Sequence, residues 1–336
     1  MSKLTTRYMG LDLDSPVIVG ACDLVENPAN LKKIEKAGAG ALVYKSLFEE
    51  QIRLEDLRLS NLLESYNDRN AEMTRVFPGT TYSGPDEYLE KLKLVKRNLS
   101  IPVIGSLNAV NESTWVQYAR GIGETGVDGL ELNFFNVPFS PDQTGAEIEE
   151  EQIRIVEQVV KSVKIPVSVK LSPYYSNLLN FVSRLNKTGI HGIVLFNKFF
   201  QPDVDLDGMK HTSPWNLSND KEYRLALRYS GLLFGEGPCE VIASCGIQEG
   251  DDVIKLLLAG ARAVQVVSTL YKNGIERIGE MNSSLLVWMK YRGYSSIDDF
   301  RGRLSRKNTA NPTIYKRAQY IEMMLNSEKL IGRPMV

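Results

Sequence analysis

The chain has 336 residues, 43% of them hydrophobic, and a formal net charge of −1. That suffices for one large packed domain and offers no global basic field to attract nucleic acid or an anionic membrane. Its three cysteines (Cys22, Cys239, Cys245) are widely spaced, and its two histidines are His191 and His211. This excludes a disulfide framework, a metal-ligand spacing and His-rich triad chemistry, and points to a reducing, cytoplasmic setting.

The first residues, Met1 to Tyr8, carry no apolar signal region, and no apolar run approaches the length of a membrane span. From there short β-branched runs alternate with longer amphipathic stretches, the pattern of βα units around a parallel sheet. Strands are expected at 16–20, 41–45, 102–105, 129–133, 166–170, 192–196, 240–243 and 263–267. Three are entered by proline, which suits a first strand residue that needs no ladder donor. Helical periodicity is clearest over 148–163 and 176–187. Ala37-Gly-Ala39, Thr125-Gly-Val127, Thr188-Gly-Ile190 and Ala259-Gly-Ala261 each read as a helix ending on glycine before a strand.

Eight such units make one (β/α)8 barrel domain over residues 1–336. Two segments exceed the repeat. A polar insertion at about 48–87 follows the second strand, where barrel enzymes build lids and binding walls. A charged, helix-like extension at about 292–336 closes the chain and is expected to pack on the barrel or on another subunit.

Barrel active sites lie at the C-terminal strand ends. Here those ends read Cys22, Lys45, Ser46, Ser106, Asn108, Asn133, Asn136, Lys170, Ser172, Asn197, Lys198, Ser244 and Ser268. Lys45 and Lys170 end apolar strands, where each either holds an anion or developing negative charge, or simply extends to water at the rim. The last two strands run into small-residue loops, Ser244-Cys-Gly-Ile247 and Val267-Ser-Thr-Leu270, whose main chain can approach a phosphate.

Val43-Tyr-Lys-Ser46, Glu131-Leu-Asn133, Val169-Lys-Leu-Ser-Pro173, Phe196-Asn197, the Ser244–Ile247 loop and Val264-Gln-Val-Val-Ser-Thr-Leu270, in this order, resemble the dihydroorotate dehydrogenases, most closely the soluble class 1 branch. The resemblance runs roughly from Thr6 to Gly274. It implies an FMN enzyme that oxidises dihydroorotate, a step of pyrimidine biosynthesis, or a related cyclic amide, passing hydride to flavin N5 while a base removes a proton. It places Lys170 by the flavin ring near N1 and Lys45 and Ser46 along the flavin and substrate edge. Asn133 and Asn197 are placed on the flavin or substrate ring. Ala21 belongs to the flavin-binding set. Ser244, Cys245, Gly246, Val267, Ser268 and Thr269 are placed around the phosphate. Lys45, Lys170, Asn133 and Lys198 are the candidate catalytic residues.

The chain departs from the family on the substrate side. A Ser or Cys base is expected after the fourth strand, yet the stretch reads Asn133-Phe-Phe-Asn-Val-Pro138, and neither Phe134 nor Phe135 can accept a proton. The asparagine-rich grip after the second strand is replaced by Phe77-Pro-Gly-Thr-Thr-Tyr-Ser-Gly84, and Asn197 is followed by Lys198. Substitute bases are Cys22, Tyr82, Ser140 or Lys198. The last is read first as a clamp for a substrate carboxylate. Cys22 as a small core residue, His191 as structural and His211 as part of a polar loop are the plainer readings. Two other functions stand beside the first: a flavin-binding homologue with no dihydroorotate turnover, and a phosphate-binding barrel lyase or isomerase with Lys170 as a Schiff-base lysine. The sequence names no electron acceptor, and the pairing common among related barrels leaves a homodimer open.

Overall fold

The structure, a computed structural model, describes residues 3–49, 85–109, 111–135, 137–138, 140–198, 201–212 and 217–325. Tyr82, Asn136, most of the expected insertion and the end of the tail lie outside the described residues.

An antiparallel hairpin, β1 (Thr6–Tyr8) and β2 (Leu11–Leu13), precedes the barrel. The barrel staves are β3 (Val17–Val19), β4 (Ala41–Val43), β6 (Val103–Asn108), β7 (Gly129–Asn133), β8 (Val167–Leu171), β9 (Gly192–Leu195), β12 (Glu240–Ser244) and β13 (Ala263–Val266). All pair in parallel, and the β4–β6 and β3–β13 ladders close the ring. Helices α1 (Pro28–Lys36), α2 (Pro85–Asn98), α3 (Glu112–Glu124), α4 (Gly145–Ser162), α5 (Leu178–Leu185), α6 (Tyr223–Leu233) and α7 (Gly250–Ala259) wrap its outside. A short α8 (Ser268–Asn273) and a long α9 (Arg277–Arg292) follow the last stave. The chain is thus a (β/α)8 barrel.

Strand alternation divides the core in two. Val17, Val19, Leu42, Leu130 and Val169 point outward into the helix layer. Ile18, Ala41, Val43, Ile104, Val194, Ile242 and Ala263 point inward. Fully buried side chains of this kind each contribute about 1.5–3 kcal/mol. The hairpin plugs the floor of the barrel with Tyr8, Met9 and Leu13, all almost wholly buried. Gly192 shows why the fit needs a bare stave there: a Cβ would lie 2.5 Å from the Tyr8 ring.

The helix ends follow local chemistry. Thr144 and Glu147 form a reciprocal capping box that starts α4. Gly38, Gly126, Gly189 and Gly260 all have positive φ where the sequence places helix-ending glycines.

Two strand limits differ from the sequence reading by more than one residue. β4 ends at Val43, so Lys45 and Ser46 lie just beyond it, and β6 runs on to Asn108. The cause is β5 (Leu47–Phe48), which pairs with Leu107 and Asn108 and extends the ladder on that side. After β9, the strands β10 (Asp203–Asp205) and β11 (Lys210–Thr212) form a hairpin that carries an exposed His211. His191 sits at the opposite end of β9, where its Nδ1 accepts from the Val167 N–H at 3.4 Å.

Past α9, the chain turns back onto the barrel. Arg228 of α6 donates to Gln319 at 2.8 Å, and Tyr315 lies so close to Gly231 that no Cβ fits there. Gln319 belongs to the last described helix, α10 (Ala318–Leu325).

Candidate active site

The C-terminal ends of the staves surround a cleft of about 290 Å³. Ala21, Lys45, Ser46, Asn133, Lys170, Asn197, Lys198, Ser244, Cys245, Gly246, Val267 and Ser268 all line it. Thr269 does not. It is fully buried one residue further into α8, and its hydroxyl donates to the Gln248 carbonyl at 3.1 Å.

Three inward-facing side chains cross the barrel just below the cleft. Alternation turns Glu131 of β7, Lys170 of β8 and Gln265 of β13 to the interior. Lys170 Nζ donates to Gln265 Oε1 at 3.1 Å, and Gln265 Nε2 donates to Glu131 Oε2 at 2.5 Å. Lys170 Nζ is 4.0 Å from Glu131 Oε1, and both residues are buried. The ammonium is therefore held at the cleft floor by a buried carboxylate and an amide.

A second network joins the asparagines. Asn197 donates to Asn133 Oδ1, and Asn133 donates to Ser46 Oγ at 3.4 Å. Ser46 and Ser106 share a 2.7 Å hydrogen bond, and Asn108 donates to the Asn133 carbonyl at 2.9 Å. Amide and hydroxyl groups on four staves or their extensions are thus locked together.

The other two lysines are ion-paired. Lys45 Nζ lies 2.9 Å from Asp23 and 2.8 Å from Glu26. Burial acts to lower its pKa, but the hydrogen bonds and charges of Glu26 and Asp23 outweigh it and raise it. Lys198 Nζ reaches both Glu222 oxygens, at 2.9 and 2.7 Å.

The phosphate-type loops sit side by side because β12 and β13 are neighbours. Cys245 and Gly246 have φ of 71° and 69°, consecutive left-handed residues that turn the main chain sharply after Ser244. A Cβ on Gly246 would stand 2.4 Å from the Tyr223 nitrogen, so glycine is required. Ser268 Oγ accepts from both the N–H and the hydroxyl of Ser218, at 2.9 Å each, tying the loop before α6 across the start of α8.

Of the substitute bases, Ser140 is exposed and does not line the cleft, whereas Cys22 and Lys198 do. Burial pushes the Cys22 thiol up to about 11, and burial likewise raises Cys245, whose Sγ donates to the Phe196 carbonyl at 3.1 Å. Neither thiol is a ready thiolate at neutral pH. Phe134 is buried against Trp115, with ring centroids 5.1 Å apart, while Phe135 faces the cleft.

Sequence reasoning assigned no role to Gln265, Asp23, Glu26 or Glu222. Gln265 carried a readable signal: it is the lone polar residue of an apolar strand, in phase with inward-facing Ala263. The three carboxylates come from turns and a helix start, where charge is ordinary and carries no such signal.

A parallel barrel with polar side chains gathered at the C-terminal ends of its staves has the layout of a (β/α)8 enzyme. The family model described as dihydroorotate dehydrogenase matches residues 3–289. The chain is similar to the catalytic subunit of dihydroorotate dehydrogenase B (NAD(+)) of Thermoplasma volcanium, at 27% identity over 310 residues, covering 90% of this chain and 98% of that one. The protein of the same name from Methanocaldococcus jannaschii is 26% identical over 302 residues, covering 85% and 94% respectively. That of Methanosarcina acetivorans is 27% identical over 301 residues, covering 87% and 93%. The chain belongs to the dihydroorotate dehydrogenase family, oxidoreductases that act on CH–CH donors and generally use FMN. Among the described residues no helix is long and apolar enough to cross a membrane, and no cluster of side chains is arranged to hold a metal ion.

Proposed function

We propose that this protein is an FMN-dependent oxidoreductase that oxidises dihydroorotate or a related cyclic amide, in the reducing environment its three unpaired cysteines suit. The observation that carries the reading is the position of Lys170, a buried ammonium held by Gln265 and Glu131 on the floor of the cleft. When bound, FMN supplies the hydride acceptor.

The residues fit that group. The sharp left-handed turn at Cys245–Gly246, packed on the start of α6, leaves exposed main chain in the cleft that suits a phosphate. Lys170 would stabilise negative charge developing on a bound flavin ring, at no cost in reorganisation. Asn133 and Asn197, each able to donate and accept, suit the amide edges of a flavin or substrate ring. Phe135, Leu217 and Tyr271 add apolar walls that exclude water.

One observation favours a second reading, a flavin-binding homologue without dihydroorotate turnover: Phe135 faces the cleft in the stretch where the family carries its base. Titration of the purified protein with FMN tests the cofactor. A stoichiometric yellow complex supports the proposal, and failure of wild-type protein to bind FMN defeats it. Reduction of that complex by dihydroorotate or by a cyclic amide then separates the enzyme from the silent homologue.

A further inference from the structure

The charges around the cleft bear on which substrate it takes, a question that rests on the oxidoreductase reading above. Three lysines line the cleft, and each already faces a carboxylate: Lys45 meets Asp23 and Glu26, Lys198 meets Glu222, and Lys170 meets Glu131. Three ammonium groups thus stand against four carboxylates. No arginine lines the cleft among the described residues.

A site built for a carboxylate leaves a cation with donors to spare and aims them at the ligand. Here Lys45 and Lys198 already meet carboxylates, and Lys170 donates to Gln265 beside Glu131. Lys45 is fixed at both ends: its ammonium by two carboxylates, its carbonyl by the Tyr88 hydroxyl at 2.8 Å. Asp23 and Glu26 belong to a single turn after β3, so they approach Lys45 together rather than by chance rotamers. Lys198 is held by both oxygens of Glu222. An incoming carboxylate would have to displace one of these partners or add its charge beside the carboxylates that already neutralise the lysines.

Among the described residues, what remains to recognise a ligand is uncharged. Asn133, Asn197 and Ser46 present amide and hydroxyl groups, the natural complement of a ring carrying C=O and N–H. Phe48, Phe135 and Tyr271 offer flat apolar surface for the same ring.

We propose that the cleft selects an uncharged cyclic amide, a dihydropyrimidine ring without a carboxylate, over its anionic carboxylated counterpart. The carboxylates of Asp23, Glu26 and Glu222 are the selectivity elements, acting through the lysines they neutralise.

The test is calorimetric titration of the FMN-loaded protein with uracil and with orotate, which differ by the carboxylate alone. Uracil is expected to bind at least about tenfold more tightly, the range in which one unfavourable charge contact acts. In the Asp23→Asn/Glu26→Gln double variant, Lys45 is released. Orotate is then expected to gain about tenfold while uracil changes by less than about threefold. Glu222→Gln gives an independent check through Lys198 should the double variant fail to fold. Tighter orotate binding to wild-type protein, binding of neither ligand, or an equal change for both ligands in the folded variants would overturn the proposal. These results are separate from the cofactor test: wild-type protein that takes up no FMN defeats the flavin reading, whereas a yellow protein that prefers orotate defeats only this selectivity.

Discussion

Lys170 and Glu131 rise from adjacent staves, and Lys170 Nζ stops 4.0 Å from a Glu131 Oε1 that has no hydrogen-bond partner among the described residues. Gln265 bridges the two from across the barrel. A buried ammonium and carboxylate in this arrangement hold each other in position, and removing either leaves the other uncompensated. The lysine is therefore a fixed positive charge under the cleft rather than a mobile rim residue.

Lys170→Gln is expected to retain the fold and bind FMN but to slow flavin reduction by about 10²–10³-fold, the range seen when one stabilising donor is lost from an active site. Its flavin midpoint potential should move to more negative values. Stopped-flow reduction and a reductive titration read the two effects. An unchanged potential would remove Lys170 from the flavin's surroundings.

Gln265→Leu is expected to act through Lys170. It deletes the 3.1 Å acceptor and leaves Glu131 without its donor, so a stability loss of about 1–3 kcal/mol is expected alongside a smaller potential shift of the same sign as Lys170→Gln. Thermal melts and the same titration check it. Loss of stability with no change in potential would make Gln265 purely structural.

Gly246→Ala is expected to weaken FMN binding and to destabilise the protein by about 1–3 kcal/mol, because strained φ and a blocked Cβ act together. The added carbon meets the Tyr223 nitrogen at 2.4 Å. Gly10→Ala is the control: its φ is also positive, at +79°, but nothing lies within 4 Å of the new Cβ. It should cost only the backbone strain and leave FMN affinity unchanged. Denaturant melts and FMN titration distinguish the pair.

How much of this was legible in the sequence follows from where each signal lives. The eight staves were readable because β-branched runs and helix-ending glycines are local patterns, and Gly38, Gly126, Gly189 and Gly260 adopt the positive φ that such endings need. Lys170 and Asn133 stand out because they are polar residues at the C-terminal ends of apolar strands, where barrel sites lie. Their partners were not readable. Gln265 meets Lys170 across 95 residues of chain, and Glu222 reaches Lys198 from the residue before α6. The first pairing is set by the packing of staves across the barrel and the second by the excursion between β9 and α6, and no local window contains either. Lys198 as a carboxylate clamp was a reasonable expectation for an isolated lysine at a strand end, and Glu222 is the long-range neighbour that occupies it here.

Alkaline pH should destabilise the fold through its partly buried thiols. Burial raises Cys22 from its ordinary value of 9.0 to about 11 and Cys239 to about 12. The folded state then holds protons that the unfolded chain releases, so the stability these groups contribute is complete below pH 9 and falls as pH rises through about 11 to 12. A melting series from pH 8 to pH 11 should show the decline, and Cys22→Ser should make it shallower. A flat profile in wild-type protein would contradict the burial of these thiols.

Phe135→Cys tests the substituted stretch after β7. A thiol there, facing the cleft, is expected to raise the rate of flavin reduction by a dihydropyrimidine by at least about tenfold, within the range of general-base catalysis. Phe134→Cys should instead lose stability by about 3–5 kcal/mol without gaining rate, since that ring is packed on Trp115. A gain at position 134 and none at 135 would reverse the assignment of the two phenylalanines.

The most direct test of the central claim is anaerobic. The FMN-loaded protein is mixed with 5,6-dihydrouracil and, separately, with dihydroorotate, while the flavin absorption band is followed. Bleaching is expected with a cyclic amide, faster for the uncharged ring, and slower in Lys170→Gln. A flavin band that neither compound bleaches, in protein that dithionite reduces normally, would contradict the assignment of this chain as an oxidoreductase of such rings.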